Sequence, residues 1–240
     1  MKTALITGGT KGIGKAIALA FLQNGYEVVI NYDADEAAAL ATQEEFNMQG
    51  YCPVLMRADV SDEIQVRAMF TDFFSIYDTL DVLVNNAGIS KVKVIQDTTA
   101  ADWDRLFDVN VKGAYLCSRE VVDNMIGRGG CIINIGSIWG EVGASCEVAY
   151  SATKGALIAF TKALAKELAP SKVRVNCVSP GVIYTPMNSH LSENEMQELI
   201  DSIPVGRIGT PEDVAAACLY LAEAGYVTGE VLSVGGGFGK

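Results

Sequence analysis

Histidine is almost missing from this sequence of 240 residues, in which His190 is the single example. A Ser-His-Asp triad or a histidine-bound zinc site would depend on this residue, which lies in the polar segment MNSHLSENE. No two cysteines form a CxxC pair, so we expect reduced thiols that pack as small apolar side chains, and we predict no metal site. The cysteines are Cys52, Cys117, Cys131, Cys146, Cys177 and Cys218.

Long apolar runs and an excess of positive charge are lacking as well. No run approaches the roughly 18 residues that a membrane helix needs. The first residues, MKTALITGG, lack the architecture of a signal peptide. We therefore expect a cytoplasmic protein that does not bind a membrane. The 18 basic and 29 acidic residues give a formal net charge of −11, which repels phosphate backbones and argues against a nucleic-acid partner.

Short β-branched apolar segments alternate with segments of helical periodicity along the whole chain. This alternation predicts an α/β fold, a Rossmann-type doubly wound parallel sheet of about seven strands with helices on both faces. No linker or repeat marks a boundary, so we predict one domain over residues 1–240, with a substrate flap near 184–210. The strand candidates are TALIT, EVVIN, CPVLM, DVLVN, CIINI, VRVNCV and EVLSV.

A glycine-rich segment, TGGTKGIG at residues 7–14, follows the first predicted strand and leads into a predicted helix. Glycine lets the backbone approach a ligand closely, and the amino end of a helix offers free N–H groups to a phosphate. The spacing GxxxGxG differs from the GxGxxG of the standard dinucleotide fingerprint. Its position between strand and helix favours a pyrophosphate site over a purely structural turn.

Three motifs together carry a family resemblance: TGxxxGIG near the amino terminus, NNAG at residues 85–88 and YxxxK at residues 150–154. With them the chain resembles the short-chain dehydrogenase/reductase family, and the resemblance extends to RADVSD, DVNVKG and the terminal TGEVLSVGGG. It implies a nicotinamide cofactor, a substrate pair of carbonyl and alcohol, and a homotetramer.

Ser137, Tyr150 and Lys154 are the predicted centre of the chemistry. Tyr150 and Lys154 lie four residues apart in a predicted helix, so their side chains project to the same side. Bringing a phenol from its pKa near 10 to neutrality requires roughly 4 kcal/mol, which a neighbouring ammonium and an oxidised nicotinamide could supply. We predict that Tyr150 donates a proton to the substrate carbonyl, that Lys154 lowers its pKa, and that Ser137 hydrogen-bonds the carbonyl oxygen.

The resemblance also implies further site residues. Asn110 would complete the catalytic set by holding a water that links the lysine to solvent, the alternative being a packing role. Asp59 would accept a hydrogen bond from the adenine amino group, or else cap the helix that follows it. The implied cofactor contacts are Gly8, Thr10, Lys11, Gly12, Ile13, Gly14, Asn31, Tyr32, Asp59, Val60, Asn86, Ala87, Gly88, Tyr150, Lys154, Pro180, Gly181, Ile183 and Thr185.

The signals for cofactor choice conflict. An acidic residue about 20 positions after the glycine turn binds the ribose hydroxyls of NAD, whereas a base accepts the extra phosphate of NADP. Tyr32 occupies that acidic position and Asp33 follows it, while Lys11 stands where NADP-preferring relatives carry a base. We favour NADP(H) and keep NAD(H) as possible. The alternative for Lys11 is a solvated surface lysine.

For the substrate, the whole chain is similar to the 3-oxoacyl-acyl-carrier-protein reductases of fatty acid biosynthesis. Those enzymes dock an acidic carrier protein on bases beside the cleft, for which Arg128 and Lys172 are the candidates here. A hydroxysteroid or sugar-alcohol dehydrogenase stays open, because the family reuses one catalytic set on many pockets. An NADPH-binding sensor without chemistry is the non-enzyme alternative.

The segment SIWGEVGASCEVAYSATKGA supports a rival substrate, because it resembles the elongation factor P 5-aminopentanone reductases. Their ketone is carried on a modified lysine with a free amine. Glu141 and Glu147 would complement that amine, Trp139 would form an apolar wall, and Ser137 would hold the ketone. The alternative for both glutamates is a solvated loop charge.

Overall fold

Seven parallel strands form one sheet in the computed structural model, which describes residues 1–184 and 193–239. The strand order is β3-β2-β1-β4-β5-β6-β7, which reverses direction beside β1 and confirms the predicted doubly wound, Rossmann-type fold. The strands are β1 (Lys2–Ile6), β2 (Tyr26–Tyr32), β3 (Val54–Arg57), β4 (Val82–Asn85), β5 (Gly130–Ile135), β6 (Val173–Pro180) and β7 (Val231–Val234).

Helices cover both faces of the sheet because successive strand residues point to opposite sides. Ala4 and Ile6 pack into the core that contains α1 and α9, whereas Leu5 between them packs into the core that contains α3, α5 and α7. The helices of the described part are α1 (Gly12–Gln23), α2 (Glu36–Met48), α3 (Glu63–Ile76), α4 (Ala100–Phe107), α5 (Gly113–Met125), α6 (Trp139–Val142), α7 (Val148–Leu168), α8 (Glu193–Asp201) and α9 (Pro211–Glu223).

Two aspartates begin the helices next to the predicted cofactor region. The side chain of Asp35 accepts a hydrogen bond from the Ala38 N–H at 3.0 Å and caps α2. Asp62 caps α3 in the same way. The alternative role for Asp59, that of helix cap, is therefore wrong, because α3 begins at Glu63 and its cap is Asp62.

Buried amides join the centre of the sheet to the helices. Asn85 and Asn134 lie opposite each other at the carboxyl ends of β4 and β5. Asn85 Nδ2 donates to Asn134 Oδ1 at 2.9 Å and to Ser118 Oγ on α5 at 3.1 Å. Asn134 Nδ2 donates to Thr161 Oγ1 on α7 at 2.8 Å. Strands and helices are thereby fixed to one another where the carboxyl ends meet.

The extent of the domain and the flap stay predictions. The helix α8 lies within the region 184–210, but His190 and residues 185–192 in general lie outside the described residues. None of the helices in the described ranges is both long and apolar enough to cross a membrane.

Candidate active site

The carboxyl ends of β1, β4, β5 and β6 surround a cleft of about 450 Å³. Ligands of open α/β sheets bind at this edge, where the strand order reverses. The cleft is lined by Gly8, Lys11, Gly12, Ile13, Gly14, Asn86, Ala87, Gly88, Ile89, Ile135, Gly136, Ser137, Tyr150, Lys154, Pro180, Gly181 and Ile183. Most residues predicted to contact the cofactor are thus brought together.

The glycine turn forms a narrow cradle at the amino end of α1. A Cβ atom on Gly14 would lie 2.4 Å from the Gly8 carbonyl oxygen and 2.5 Å from Asn86 Nδ2, so only glycine fits there. Gly8 has a φ of +61°, which also favours glycine. Because the cradle exposes backbone and a helix amino terminus to the cleft, it fits the pyrophosphate of a dinucleotide.

The turn at residues 85–88 is held against this cradle. Asn86 Nδ2 donates to the carbonyl oxygens of Thr7 at 2.9 Å and Gly8 at 3.0 Å. Thr7 Oγ1 accepts hydrogen bonds from the N–H groups of Asn86 and Ala87, each at 3.0 Å. Thr7 is a residue that sequence reasoning missed, because its partner turn lies nearly 80 residues away. Its place directly before the glycine turn is the signal that could have found it.

Ser137, Tyr150 and Lys154 converge on the cleft as predicted. Ser137 follows β5, and the other two lie one turn apart on α7. Lys154 Nζ lies 5.6 Å from the centre of the Tyr150 ring and donates a hydrogen bond of 2.7 Å to the Ile135 carbonyl oxygen. A carbonyl compound in the cleft would therefore meet a phenol and a hydroxyl, with a buried ammonium behind them.

Burial dominates the ionisation of both groups. It raises the pKa of Tyr150 to about 12, a hydrogen bond from Ser137 acting against this rise and the Glu147 carboxylate adding to it. Burial lowers the pKa of Lys154 to about 8, with the Cys177 thiol acting in the opposite sense. Burial therefore determines the pKa of Tyr150 here, and the predicted lowering of that pKa by Lys154 stays a prediction. A phenol that stays protonated at neutral pH suits the donation of a proton.

Asn110 lies in a π-helical segment, Asp108–Lys112, between α4 and α5. Its side chain is 2% exposed. Asn110 Oδ1 accepts from the Ile89 N–H at 2.8 Å, and Nδ2 donates to the Ile89 carbonyl oxygen at 2.9 Å and to Thr153 Oγ1 at 3.0 Å. Asn110 thus holds Ile89, which lines the cleft, and Thr153, which precedes Lys154 in the chain. The predicted link from Asn110 to a water stays a prediction.

Several predicted cofactor contacts lie beside the cleft rather than on its lining. Asn31 is buried, and its Oδ1 accepts a hydrogen bond from the Gly8 N–H at 3.3 Å, so it supports the glycine turn from below. Asp59 accepts from Ser61 Oγ at 2.7 Å and pairs with Arg105. Thr185 lies outside the described residues. The residues absent from the cleft lining are Thr10, Asn31, Tyr32, Asp59 and Val60.

Two bases near the predicted adenosine end, Lys11 and Arg57, differ in their partners. Lys11 lines the cleft and forms an ion pair with Asp35. Arg57, which sequence reasoning missed, ends β3 directly opposite Tyr32 at the end of β2. Its Nε donates to the Asp33 carbonyl oxygen at 3.0 Å. Its position at the carboxyl end of a predicted strand is the signal that could have found it.

The residues predicted to contact the substrate do not all lie at the cleft. Glu147 accepts a hydrogen bond of 2.7 Å from Ser90 Oγ and lies close enough to Tyr150 to affect its pKa. Glu141 does not line the cleft; it is exposed and accepts a hydrogen bond of 3.1 Å from Ser233 Oγ on β7. Trp139 contacts the ring of Phe238 edge to face, also outside the cleft lining.

Arg128 and Lys172 precede β5 and β6 respectively. In a parallel sheet the amino ends of the strands form the edge opposite the carboxyl ends, so these bases lie away from the cleft of their own chain. The expectation that they lie beside it is wrong. In the described ranges, no group of three or more His, Cys, Asp or Glu side chains is placed to hold a metal ion.

Comparisons with known proteins agree with this geometry. A family model described as enoyl-(acyl carrier protein) reductase matches residues 8–239. The 3-oxoacyl-[acyl-carrier-protein] reductase FabG of Staphylococcus aureus is 38% identical over 239 residues, which cover 98% of this chain and 97% of that protein. The protein of the same name from Aquifex aeolicus is 41% identical over 239 residues, with 98% and 96% covered.

A solved structure is also similar. The crystal structure of 3-oxoacyl-[acyl-carrier protein] reductase from Brucella melitensis superposes with a TM-score of 0.93 at 35% identity, covering 100% of this chain and 91% of that chain. These matches extend over nearly the full length, so the positions that line the cleft lie within the matched range. The chain therefore belongs to the short-chain dehydrogenase/reductase family, whose members are oxidoreductases that act on a carbonyl or the corresponding alcohol.

Proposed function

We propose that this chain is an NADP(H)-dependent 3-oxoacyl thioester reductase, of the kind that acts on acyl-carrier-protein substrates in fatty acid biosynthesis. The observation that carries the reaction type is the convergence of Ser137, Tyr150 and Lys154 on one cleft behind the glycine cradle. The substrate class is supported by the similarity to proteins named as 3-oxoacyl-acyl-carrier-protein reductases.

The cofactor would be held along the carboxyl edge of the sheet. Gly12 and Gly14 would bind the pyrophosphate through backbone N–H groups, and Asn86, Gly88 and Ile183 would line the remainder. A nicotinamide dinucleotide bound there supplies the hydride for the carbonyl carbon. NADP(H) is favoured over NAD(H) because basic residues lie at the predicted adenosine end.

The chain's own residues handle the proton. Tyr150, protonated at neutral pH, donates its phenolic proton to the carbonyl oxygen as that oxygen gains negative charge. Ser137 donates a second hydrogen bond to the same oxygen and fixes its position. Lys154 stabilises the phenolate that remains, because its ammonium lies over the ring.

Asn110 would keep this arrangement in place. Its side chain joins Ile89, on the wall of the cleft, to Thr153, next to Lys154 on α7. A water held near this amide would return a proton to the phenolate after each turnover. This role requires the amide oxygen and nitrogen to stay oriented as their three hydrogen bonds dictate.

Glu147 favours a second candidate, an elongation factor P 5-aminopentanone reductase. Its carboxylate is held by Ser90 and lies near Tyr150, close to where a ketone would react. The Lys93 N–H donates to the Cys146 carbonyl oxygen at 2.7 Å. This bond joins the loop after β4 to the loop before α7 and so holds the Glu147 carboxylate in place. A negative charge there would attract a ketone that carries an ammonium and would repel an acidic one.

Assembly and location belong to the same proposal. Tyr115 on α5 and Val148 on α7 are each 45% exposed, which supports contacts between helices of neighbouring chains in a homotetramer. The net charge and the nature of the substrate are typical of a cytoplasmic enzyme.

The test is NADPH oxidation by acetoacetyl thioester and, separately, by elongation factor P that carries the aminopentanone. Rapid turnover of the thioester supports the first candidate, and turnover of the modified protein alone supports the second. Tyr150→Phe is the control: it should reduce kcat by about 10²- to 10⁴-fold while NADPH binding, followed by fluorescence, is retained. NADPH binding without turnover of any ketone would identify a sensor and refute the proposal.

A further inference from the structure

Arg57 presents an uncompensated positive charge beside the predicted adenosine end of the cleft. It is the last residue of β3 and is exposed. Its register partner is Tyr32, the last residue of β2, and the two strands are hydrogen-bonded neighbours. In doubly wound folds the adenosine ribose lies near the end of β2. The guanidinium is therefore next to the position of the ribose 2′ substituent.

One main-chain contact orients this guanidinium. Arg57 Nε donates to the Asp33 carbonyl oxygen at 3.0 Å, which directs the side chain towards the loop after β2. The two terminal nitrogens remain for other acceptors. Within the described ranges, no carboxylate lies within ion-pairing distance of Arg57.

Lys11, the base that family resemblance suggests, is in a different electrostatic position. Its ammonium is paired with the carboxylate of Asp35. That carboxylate also caps α2 through the Ala38 N–H, so it stays ionised and in place. A phosphate that approaches Lys11 would therefore meet a nearly neutral pair, and would have to compete with Asp35 for the lysine.

We propose that Arg57 is the residue that selects the cofactor, by binding the 2′-phosphate of NADP(H) through its terminal guanidinium nitrogens. This inference rests on the proposed function, which requires a nicotinamide dinucleotide. A guanidinium matches a phosphate with two parallel hydrogen bonds, a geometry that an ammonium cannot supply. The phosphomonoester carries nearly two negative charges at neutral pH, so it should bind more strongly to a guanidinium that has no carboxylate partner than to a lysine that is already paired.

The experiment measures binding of 2′,5′-ADP and of 5′-AMP to the full chain by calorimetry at low salt. These probes differ only in the 2′-phosphate. Arg57→Ala should weaken binding of 2′,5′-ADP by about 10- to 100-fold, the effect of one charge-assisted contact, and change binding of 5′-AMP by less than about twofold. Arg57→Lys should recover part of the loss, because it restores the charge without the planar geometry.

Two controls separate this role from others. Lys11→Ala should weaken 2′,5′-ADP by less than about threefold, and Arg128→Ala, which removes the same charge at the opposite edge of the sheet, should change neither probe. Equal weakening of both probes by Arg57→Ala would show that the residue only supports the loop after β2. A larger loss with Lys11→Ala than with Arg57→Ala would assign the phosphate to Lys11. Either result overturns the proposal.

Binding and turnover are measured separately, so the two proposals fail in different ways. If the unchanged protein binds 5′-AMP as tightly as 2′,5′-ADP but reduces a ketone with NADH, the inference on Arg57 is wrong and the reductase proposal survives. If no ketone is reduced with either cofactor, the reductase proposal fails, while the two probes still report on Arg57.

Discussion

Lys154 is a cation held inside the protein, so removing its charge should stabilise the fold. Its side chain is 4% exposed, and burial lowers its pKa from the usual 10.5 to about 8. At about 1.4 kcal/mol per pH unit, this lowering of the pKa means that the charged lysine destabilises the native state by about 3 kcal/mol. Lys154→Met removes this unfavourable charge. It also removes the hydrogen bond to the Ile135 carbonyl oxygen, and this loss reduces the gain in stability by about 1 kcal/mol. We expect the free energy of unfolding of this variant to be about 2 kcal/mol higher than that of the unchanged protein at pH 7. Ketone reduction should be lost.

The gain should depend on pH with a definite sign. Below pH about 8 the lysine is charged in both the native and the unfolded state, and the full cost applies. Between about 8 and 10.5 the native state has released its proton while the unfolded chain still holds it, so the unchanged protein becomes more stable as the pH rises. The advantage of methionine therefore shrinks across this window.

Urea unfolding followed by circular dichroism at pH 7, 8, 9 and 10 measures this difference. Protein concentration must be fixed, since assembly shifts apparent stability. Lys166→Met, which changes an exposed lysine on the same helix, is the matched control and should stay within about 0.5 kcal/mol of the unchanged protein. If Lys154→Met is less stable at pH 7 by an amount that stays constant to pH 10, the reasoning is refuted.

Two further substitutions test the cradle and its support. Gly14→Ala places a Cβ atom 2.4 Å from the Gly8 carbonyl oxygen, so NADPH binding measured by fluorescence should weaken at least 100-fold with an unchanged circular dichroism spectrum; binding that persists would contradict a tight cradle. Asn110→Leu removes all three hydrogen bonds of the side chain and should lower the free energy of unfolding by about 2–4 kcal/mol. Asn110→Asp keeps the acceptor for the Ile89 N–H but turns a buried carboxylate oxygen towards the Ile89 carbonyl oxygen, so it should also lower this free energy, and equal urea midpoints for all three proteins would contradict the bracing role.

The features that the sequence could predict are those encoded by short spacing. Alternation of strand and helix patterns defines the sheet, and i, i+4 spacing puts Tyr150 and Lys154 on one side of α7. The glycine turn is recognisable because it lies between one strand and the next helix. In each case the residues that interact are neighbours in the chain, so no knowledge of the tertiary path is needed.

The rest depends on contacts between distant segments. Thr7 holds a turn nearly 80 residues away, and Arg57 becomes important only because β3 pairs with β2. Glu141 has the residue type that suits a substrate contact, yet the direction of its short helix turns it towards Ser233. The pKa of Tyr150 depends on the extent of its burial, which no spacing reveals.

The paired amides of Asn85 and Asn134 have a consequence for how the sheet assembles. A shift of one residue between β4 and β5 would send every side chain of the shifted strand to the opposite face and would separate the two amides. Each buried amide left without its partner would cost about 1–3 kcal/mol, a penalty that apolar side chains at these positions would not impose. The amides thus act as a lock on strand register. Because Asn86 and Ser137 lie one and two residues after the ends of these strands, the same lock sets how the two walls of the cleft face each other.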